Sequence, residues 1–315
     1  MNQGKPNILF IFPDQWRGDC LGFFDKHPVQ TPFIDELAEQ SVVFTRAYSA
    51  HPTCVPSRAS LLTGLTANKH GRLGYSDGIP WRYKNTFPEL LRNGGYETLC
   101  VGKTHFFPPR VRLGFEQAKF YINQSGEDFQ NTCDYQAWLK KESNGTVRDP
   151  GLEVCSDNSW YTRTWPGPEE LHPNVWTTNE AIDYIDKSDP TRPFCLQVGY
   201  HRPHPPFDPP ASFLKKYENI APNEPVIGEW AAEYDEPIKK HLQEKWGILD
   251  KYKLEQLRKA YYAQLTAIDY EIGRLIWFLR RRSLLDNTII VFSSDHGDAL
   301  GDHNCFGKCT PFEPS

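Results

Sequence analysis

The sequence predicts an α/β protein with a mostly parallel central sheet and helices on both faces. Short apolar runs such as Asn7–Phe12 (NILFIF) and Phe194–Gly199 (FCLQVG) are continuous rather than alternating, which is typical of strands buried on both faces. Segments with helical periodicity separate these runs, and such alternation favours parallel strand pairing. The 315-residue chain is 39% hydrophobic and 14% aromatic, which is enough for a substantial packed core.

Two helices and a second strand are predicted between the first strand and residue 64. A helix runs from Thr31 to about Gln40, because threonine is a good N-cap residue and the proline that follows suits the first helical position. Val42–Tyr48 is predicted as the second strand. A further helix begins at Cys54 and ends before Gly64, since glycine commonly follows the last helical residue.

The remaining predicted elements alternate in the same way. Phe87–Arg92 is predicted as a helix that a pair of glycines terminates, and Tyr96–Val101 (YETLCV) is the strand that follows it. Leu254–Arg282 carries apolar residues at helical spacing and predicts a long helix. Thr288–Ser293 (TIIVFS) is the last predicted strand.

Two long segments, Phe106–Val175 and Arg202–Asp250, interrupt this alternation. They are rich in Pro, Trp, Tyr and charged residues and have weak periodicity, so we expect irregular lids and substrate walls there. The sequence contains no internal repeat, low-complexity tract or clear interdomain linker. We therefore expect residues 1–315 to form one catalytic α/β domain, without a second complete domain.

Composition and charge exclude several classes of function. The net charge is −5 and no basic stripe is present, so nucleic acid is not expected as a partner. No run of about 18 apolar residues exists, so neither a transmembrane helix nor a membrane partner is expected. The N-terminal apolar stretch is too short for a signal peptide, which predicts a cytoplasmic location, or a periplasmic or secreted one if a leader has been removed. Eight cysteines without a CxxC pair indicate mostly reduced thiols.

Chemically capable side chains follow four of the predicted strands at the point where each strand ends. In an open parallel sheet, ligands bind beyond the carboxyl ends of the strands. We therefore expect these side chains to share one edge of the sheet and to form an active site there. The four groups are residues 13–15, 102–105, 200–204 and 295–298.

Two aspartates at this edge indicate a metal site. Asp14 and Asp295 offer hard carboxylate oxygens, which suit Ca²⁺ or Mg²⁺ rather than a metal that prefers thiolates. A single aspartate after a strand is equally typical of a turn or a helix N-cap. Two of them at strand ends, one followed by His296, favour a metal.

The helix that begins at Cys54 offers a second chemical feature. Backbone N–H groups and the helix dipole favour an anionic ligand at a helix N-terminus. Lys103, His105 and His204 would supply positive or hydrogen-bonding groups for the oxygens of such an anion. A free cysteine is often only a small buried hydrophobic residue, so Cys54 taken alone leaves that alternative open.

Motifs in chain order resemble those of the sulfatase family along nearly the whole chain. They are CVPSR at the start of a helix, GK-x-H after a strand, GYHRPHPPF, SSDHGDALGDH and the late lysine in FGKCTPFEPS. GYHRPHPPF and SDHGDALGDH look most like the iduronate-2-sulfatase branch. The resemblance implies an alkaline-phosphatase-like fold, a sulfuric ester hydrolase activity and a formylglycine nucleophile made from cysteine by a maturation enzyme.

The resemblance also assigns roles to individual residues. One divalent cation, with Ca²⁺ favoured over Mg²⁺, would be held by Asp14, Gln15, Cys54, Asp295 and His296. The catalytic residues would be Cys54, Arg58, Lys103, His105, His204 and Lys308. Substrate contacts would come from Lys103, His201, His204 and Lys308.

Two features depart from the family pattern. Many members have two consecutive aspartates where this chain has Asp14 and Gln15, although the amide oxygen of Gln15 can still bind a metal. Members also continue beyond the late lysine into a smaller C-terminal subdomain, whereas this chain stops at Ser315. We therefore expect a truncated sulfatase that is less stable and less active than a version of family length, with a mobile segment around Lys308.

The expected reaction is hydrolysis of a carbohydrate or aryl sulfate ester, with one hydroxyl of the hydrated aldehyde attacking sulfur. The cation, Lys103 and Lys308 would neutralise the sulfate oxygens, His105 would orient or deprotonate the hydrate, and His204 would protonate the leaving alcohol. Two alternatives remain open. One is a phosphonate monoester or phosphodiester hydrolase of the same fold, and the other is an inactive truncated sulfatase that only binds a sulfated ligand.

Overall fold

One parallel sheet forms the centre of the fold in the part of the chain that the structure describes, which is residues 4–123, 132–152, 158–238 and 244–314 of a computed structural model. Its strand order is β3-β2-β4-β1-β5 and all pairs are parallel. The strands are β1 (Asn7–Ile11), β2 (Glu97–Lys103), β3 (Gln117–Tyr121), β4 (Phe194–Gly199) and β5 (Thr288–Phe292). The predicted parallel sheet is confirmed, and four strands lie where the apolar runs predicted them.

The register brings the ends of the central strands to one level. Ile11 at the end of β1 pairs with Val198 of β4 and with Phe292 of β5. Gly102 near the end of β2 pairs with Gly199 of β4. Gly102 has a φ of 93°, and a Cβ there would collide with the carbonyl oxygen of Gly199, so glycine is required at this close approach. The residues that follow β1, β2, β4 and β5 therefore start from one edge of the sheet.

Helices cover both faces of the sheet, as predicted. Leu99 and Val101 of β2 pack in one apolar cluster with the two longest helices, whereas Cys100 packs in another with the helix that begins at Cys54. None of the described helices combines the length and the apolar character that a membrane span requires. The described α-helices are α1 (Pro32–Ala38), α2 (Cys54–Thr63), α3 (Ala67–His70), α4 (Phe87–Asn93), α5 (Asp134–Glu142), α6 (Pro173–Lys187), α7 (Ala211–Lys215) and α8 (Lys251–Arg281).

The predicted strand at Val42–Tyr48 is wrong. This segment is irregular, with a turn at residues 45–46, and its side chains are exposed. Both edges of β1 are already paired, with β4 and β5, so the sheet offers no position beside β1 for a strand from this segment. Residues that favour a strand need a neighbouring strand as well, which the local pattern does not reveal.

The two segments that were expected to be irregular contain regular elements. The first holds β3, α5 and the beginning of α6, and the second holds α7. Residues 124–131, 153–157 and 239–243 of these segments lie outside the described residues. The sequence did not predict β3, because it is a short, half-exposed strand at the edge of the sheet. Two of its five residues are polar.

A buried carboxylate of α8 holds the first turn of α1. The two Asp269 oxygens accept hydrogen bonds from the backbone nitrogens of Phe33 (3.1 Å) and Ile34 (2.8 Å). Burial raises the pKa of Asp269 to about 7, although these two hydrogen bonds oppose the rise. Between about pH 4 and pH 7 the folded protein therefore binds more protons at this site than the unfolded chain does.

We expect this aspartate to make the protein less stable as the pH rises from 4 to 7. A carboxyl group whose pKa is raised by folding stabilises the folded state at low pH. As the pH rises towards the folded-state pKa, the free energy of unfolding falls by up to about 1.4 kcal/mol per pH unit. Denaturant unfolding across this range should show that the free energy of unfolding falls less steeply with pH in Asp269→Asn than in the wild type. The exposed control Asp286→Asn should keep the wild-type slope. Equal slopes in wild type and Asp269→Asn would contradict the assignment.

Candidate active site

The groups that follow β1, β2, β4 and β5 meet at one buried site, so their predicted convergence at one edge of the sheet is confirmed. Asp14 lies beyond β1, and its backbone oxygen accepts a hydrogen bond from the backbone nitrogen of His204, beyond β4 (3.1 Å). Lys103, the last residue of β2, places Nζ 2.9 Å from Asp14 Oδ2. His296, beyond β5, lies 3.9 Å from Asp14 Oδ1. All of these side chains are buried.

Arg58 joins the two aspartates of this site. Its Nη2 lies 2.9 Å from Asp14 Oδ2, and its Nε lies 2.9 Å from Asp295 Oδ2. Its Nη1 donates to the backbone oxygen of Lys103 (3.0 Å), and the guanidinium lies over the ring of Phe12 at 5.1 Å. Arg58 follows Cys54 by four residues in α2, so both side chains lie on the same face of the helix. A guanidinium that is hydrogen-bonded through all three of its nitrogens thus fixes both carboxylates.

Cys54 occupies the centre of the site as the first residue of α2. Its Sγ lies 3.1 Å from His296 Nε2, 3.2 Å from Lys308 Nζ and 3.9 Å from Asp14 Oδ1. Burial and Asp14 would raise the pKa of the thiol, but Lys308 and His296 outweigh them and lower it. The side chain is therefore placed where a negative charge is stabilised.

The charges of the site are strongly coupled. Burial would raise the pKa of Asp14, but Lys103 and Arg58 hold that pKa well below its usual value. Burial would lower the pKa of Lys308, but Cys54 and Asp14 raise it. The carboxylate and the ammonium group are therefore both ionised at neutral pH, and an anion that enters would meet fixed positive charges.

Four side chains form a cluster that fits a metal ion. The ligand atoms of Asp14, Cys54, Asp295 and His296 all lie within 4.8 Å of one another, and all four residues are buried. His296 Nδ1 lies 3.0 Å from the backbone oxygen of Gly297, and a proton on Nδ1 leaves the Nε2 lone pair facing the cluster. Two buried carboxylates with one oriented imidazole suit a hard divalent cation.

Gln15 lies beside this cluster in an unusual backbone conformation, with a φ of 70°. Its backbone nitrogen donates to Asp295 Oδ1 (3.0 Å), and its Oε1 accepts a hydrogen bond from Lys308 Nζ (2.9 Å). Its Nε2 donates to Asp298, which also accepts from the backbone nitrogen of Gly307 (3.1 Å). Asp298 therefore connects Gln15 to the loop that carries Lys308. Asp298 lies within the DHGD motif, but sequence reasoning gave it no role.

Three histidines line the side of the site next to Lys103. Burial, with Lys103 as the next cause, lowers the pKa values of His105, His201 and His204, so their rings are neutral near pH 7. Among the described residues, neither ring nitrogen of His201 nor Nδ1 of His105 has a hydrogen-bond partner. Buried polar atoms are normally hydrogen-bonded, so these nitrogens indicate a site for a ligand with several oxygens.

Arg202 anchors the loop of residues 201–204 through buried ion pairs. Its guanidinium is fully buried, with Nη2 2.9 Å from Asp149 Oδ1 and Nε 2.6 Å from Asp208 Oδ1. Sequence reasoning missed this network, because Asp149 comes from a segment without periodicity that lies more than fifty residues from Arg202. The pairing depends on tertiary structure alone.

Together, the parallel sheet and the buried cluster at its edge define an α/β protein whose site combines two carboxylates, an imidazole and several cationic side chains. A family model described as Sulfatase matches residues 6–314, and the chain belongs to the sulfatase family. It is 41% identical to an arylsulfatase of Clostridium perfringens over 99% of this chain and 67% of the relative. It is 30% identical to the iduronate 2-sulfatase of Homo sapiens over 98% of this chain and 57% of the relative.

A solved structure shows the same fold. The phosphonate monoester hydrolase of Agrobacterium radiobacter superposes with a TM-score of 0.78 at 26% identity, covering 99% of this chain and 66% of that one. The chain thus spans 57% to 67% of the length of these three relatives. The alkaline-phosphatase-like fold that the resemblance implied is confirmed.

Proposed function

We propose that this protein hydrolyses sulfate esters, with a formylglycine made from Cys54 as the nucleophile. The observation that carries the proposal is the position of Cys54 at the start of α2, in contact with His296 and Lys308 and beside two carboxylates that Arg58 fixes. A sulfate group in this place would meet the N-terminus of a helix and fixed cations. The 41% identity to an arylsulfatase supports the same reaction.

Asp14, Asp295 and His296 would hold a divalent cation, together with Gln15 and the side chain at position 54. We propose Ca²⁺ rather than Mg²⁺, because a site with several protein ligands and few waters is more typical of Ca²⁺. When bound, the cation would lower the energy of negative charge on the sulfate oxygens. A formylglycine-generating maturation enzyme is the partner that this chemistry requires.

Lys103 and Lys308 would bind the sulfate oxygens, and Arg58 would keep the carboxylates in place. His105 and His201 would donate hydrogen bonds to the ester through the ring nitrogens that have no described partner. His204 would protonate the leaving alcohol. Its ring is neutral in the ligand-free site, and a bound anion would raise its pKa toward the value that a general acid requires.

Phosphonate monoester hydrolysis is the second candidate, because a solved structure that superposes with a TM-score of 0.78 is a phosphonate monoester hydrolase. Lys103 and His105 favour the sulfatase, since the phosphonate branch has other residues at these positions. A sulfate monoester carries a single negative charge, and the phosphonate monoester has a similar charge and shape. The two reactions must therefore be compared on one sample.

The test is a profile of kcat/KM for an aryl sulfate, a sugar sulfate and a phenyl phosphonate ester, with protein coexpressed with a maturation enzyme. We expect kcat/KM for a sulfate ester to exceed that for the phosphonate by at least about 100-fold, or roughly 2.7 kcal/mol. The reverse order would identify a phosphonate hydrolase. Binding of sulfate esters without turnover, on protein whose residue 54 is converted, would identify a binding protein and refute the proposal.

A further inference from the structure

The segment of residues 70–83, which runs from the last residue of α3 and is here called the entrance loop, contacts His51 and His105. On one side, His51 Nε2 lies 3.1 Å from the backbone oxygen of Leu73, and His51 Nδ1 lies 2.9 Å from Thr53 Oγ1. Thr53 directly precedes Cys54. On the other side, the ring of Tyr75 meets the ring of His105 edge-on, with centroids 5.9 Å apart. The entrance loop therefore contacts His105 directly and is linked through His51 to Thr53, the residue before Cys54.

The shape of the entrance loop is set by an internal anchor. The buried Arg72 donates from Nη2 to the backbone oxygen of Ile79 (2.8 Å) and from Nε to the hydroxyl of Tyr83 (2.9 Å). Its guanidinium lies over the ring of Trp81 at 4.7 Å. The base of the loop is thus tied by charge-assisted hydrogen bonds and stacking, so its tip is held in place beside the site.

The tip of the entrance loop carries three exposed apolar or aromatic side chains next to a cavity, together with the polar Ser76 and Asp77. The cavity has a volume of about 400 Å³, and Leu73, Tyr75 and Ile79 are among its lining residues. Their side chains are 72%, 50% and 51% exposed. A cavity of this size accommodates a ring system, and exposed apolar groups that cluster at a cavity indicate a binding surface.

We propose that Tyr75, with Leu73 and Ile79, forms the subsite for an aromatic leaving group and that Tyr75 is a specificity-determining residue. The inference rests on the proposed function, since it assigns the alcohol part of the sulfate ester to the entrance loop. With the sulfate beside His105, a ring attached to it would reach Tyr75, which already packs edge-on against His105. An aromatic leaving group could make an edge-to-face or offset-stacked contact with the Tyr75 ring, whereas an alkyl chain could not.

The apolar side chains of Leu73 and Ile79 also favour an aryl group over a sugar at this part of the cavity. A sugar ring would bring several hydroxyl groups, and each needs a hydrogen-bonding partner when it is taken from water. Leu73 and Ile79 offer none. The exposed Arg82 lines the same cavity and adds a positive charge, which suits an anionic ester as it approaches.

The experiment compares 2-naphthyl sulfate with a compact alkyl sulfate in the wild type, Tyr75→Ala and Tyr75→Phe. In Tyr75→Ala we expect KM for the naphthyl ester to rise about tenfold with little change in kcat, because the lost contact exists in the ground state and transition state alike. KM for the alkyl ester should change less than about twofold. Tyr75→Phe should restore the naphthyl KM, since the ring rather than the hydroxyl makes the contact.

Tyr252→Ala is the matched control, because Tyr252 is an exposed tyrosine at the start of α8 and lies outside the entrance loop. Tyr252→Ala should have the same KM and kcat as the wild type for both esters. Equal losses with both esters in Tyr75→Ala would overturn the proposal, as would a naphthyl KM that does not change.

Calorimetric binding of 2-naphthyl sulfate separates this inference from the proposed function. If the wild type binds the ester but turns over no sulfate ester, weaker binding to Tyr75→Ala would support the subsite while the proposed activity fails. If binding is equal in the wild type and Tyr75→Ala, the subsite is refuted, whatever the activity.

Discussion

Replacing Cys54 by alanine is expected to reduce sulfate ester turnover by at least about 10⁴-fold, the scale seen when a covalent nucleophile is removed. No other described side chain lies within hydrogen-bonding distance of both His296 and Lys308 in the way that Cys54 does. A plain thiol is a poor match for hydrolysis at sulfur, so we expect the active form to carry formylglycine at this position. Steady-state kinetics and peptide mass spectrometry on the same preparation measure both quantities.

The control for this experiment is Cys309→Ala. Cys309 is exposed and directly follows Lys308, so its loss tests for a nonspecific effect of removing a thiol near the site. It should keep turnover within a few-fold of the wild type. A fully active preparation in which Cys54 is unmodified cysteine would refute the formylglycine mechanism. Thermal unfolding of Cys54→Ala checks that the loss of activity is not a loss of fold.

Removal of the divalent cation is expected to abolish turnover, and Asp295→Ala is expected to weaken cation binding by at least about 100-fold. Asp295 supplies one of the two buried carboxylates in the cluster, and ligands of a hard cation must be present as charged oxygens. Calorimetric titration of Ca²⁺ and of Mg²⁺ into chelator-treated protein measures the affinity directly. In a crystal, oxygen ligands at about 2.3–2.6 Å would identify Ca²⁺, and about 2.0–2.1 Å would identify Mg²⁺.

The described chain offers a matched control for the metal experiment in a second group of ligating residues, Asp19, Cys20 and His27. Asp19 is already paired there with Arg17 at 2.6 Å and with His27 at 3.2 Å, so its carboxylate is neutralised without a metal. Asp19→Asn should therefore keep the wild-type Ca²⁺ affinity. Activity that survives exhaustive chelation, or Ca²⁺ affinity that survives Asp295→Ala, would rule out the site.

Much of the site was predictable because it depends on local sequence and one general rule. The apolar runs identified β1, β2, β4 and β5, and the rule that ligands bind at the carboxyl ends of parallel strands brought Asp14, Lys103, His204 and Asp295 together. The helix at Cys54 was equally local, because Gly64 closes it in the left-handed conformation, with a φ of 67°. These signals need no partner elsewhere in the chain.

Other features depended on partners that are distant in sequence. Val42–Tyr48 has strand-forming residues but no strand beside it, so the local prediction failed. Gln15 was expected to face a metal, and whether it does so remains a prediction. The structure adds that its amide is held between Lys308 and Asp298, nearly three hundred residues away. Such contacts are invisible to a pattern that extends over a few residues.

The sequence by itself determined the fold class and the edge of the sheet at which Asp14, Lys103 and His204 meet. Backbone propensity, apolar periodicity and strand direction act over short distances, and they suffice for these conclusions. Only the tertiary structure decided which charges are paired, as with Arg202 between Asp149 and Asp208, and that the entrance loop lies beside His105. Those contacts join residues that are not neighbours in the sequence. Their energies depend on burial, which the local sequence does not specify.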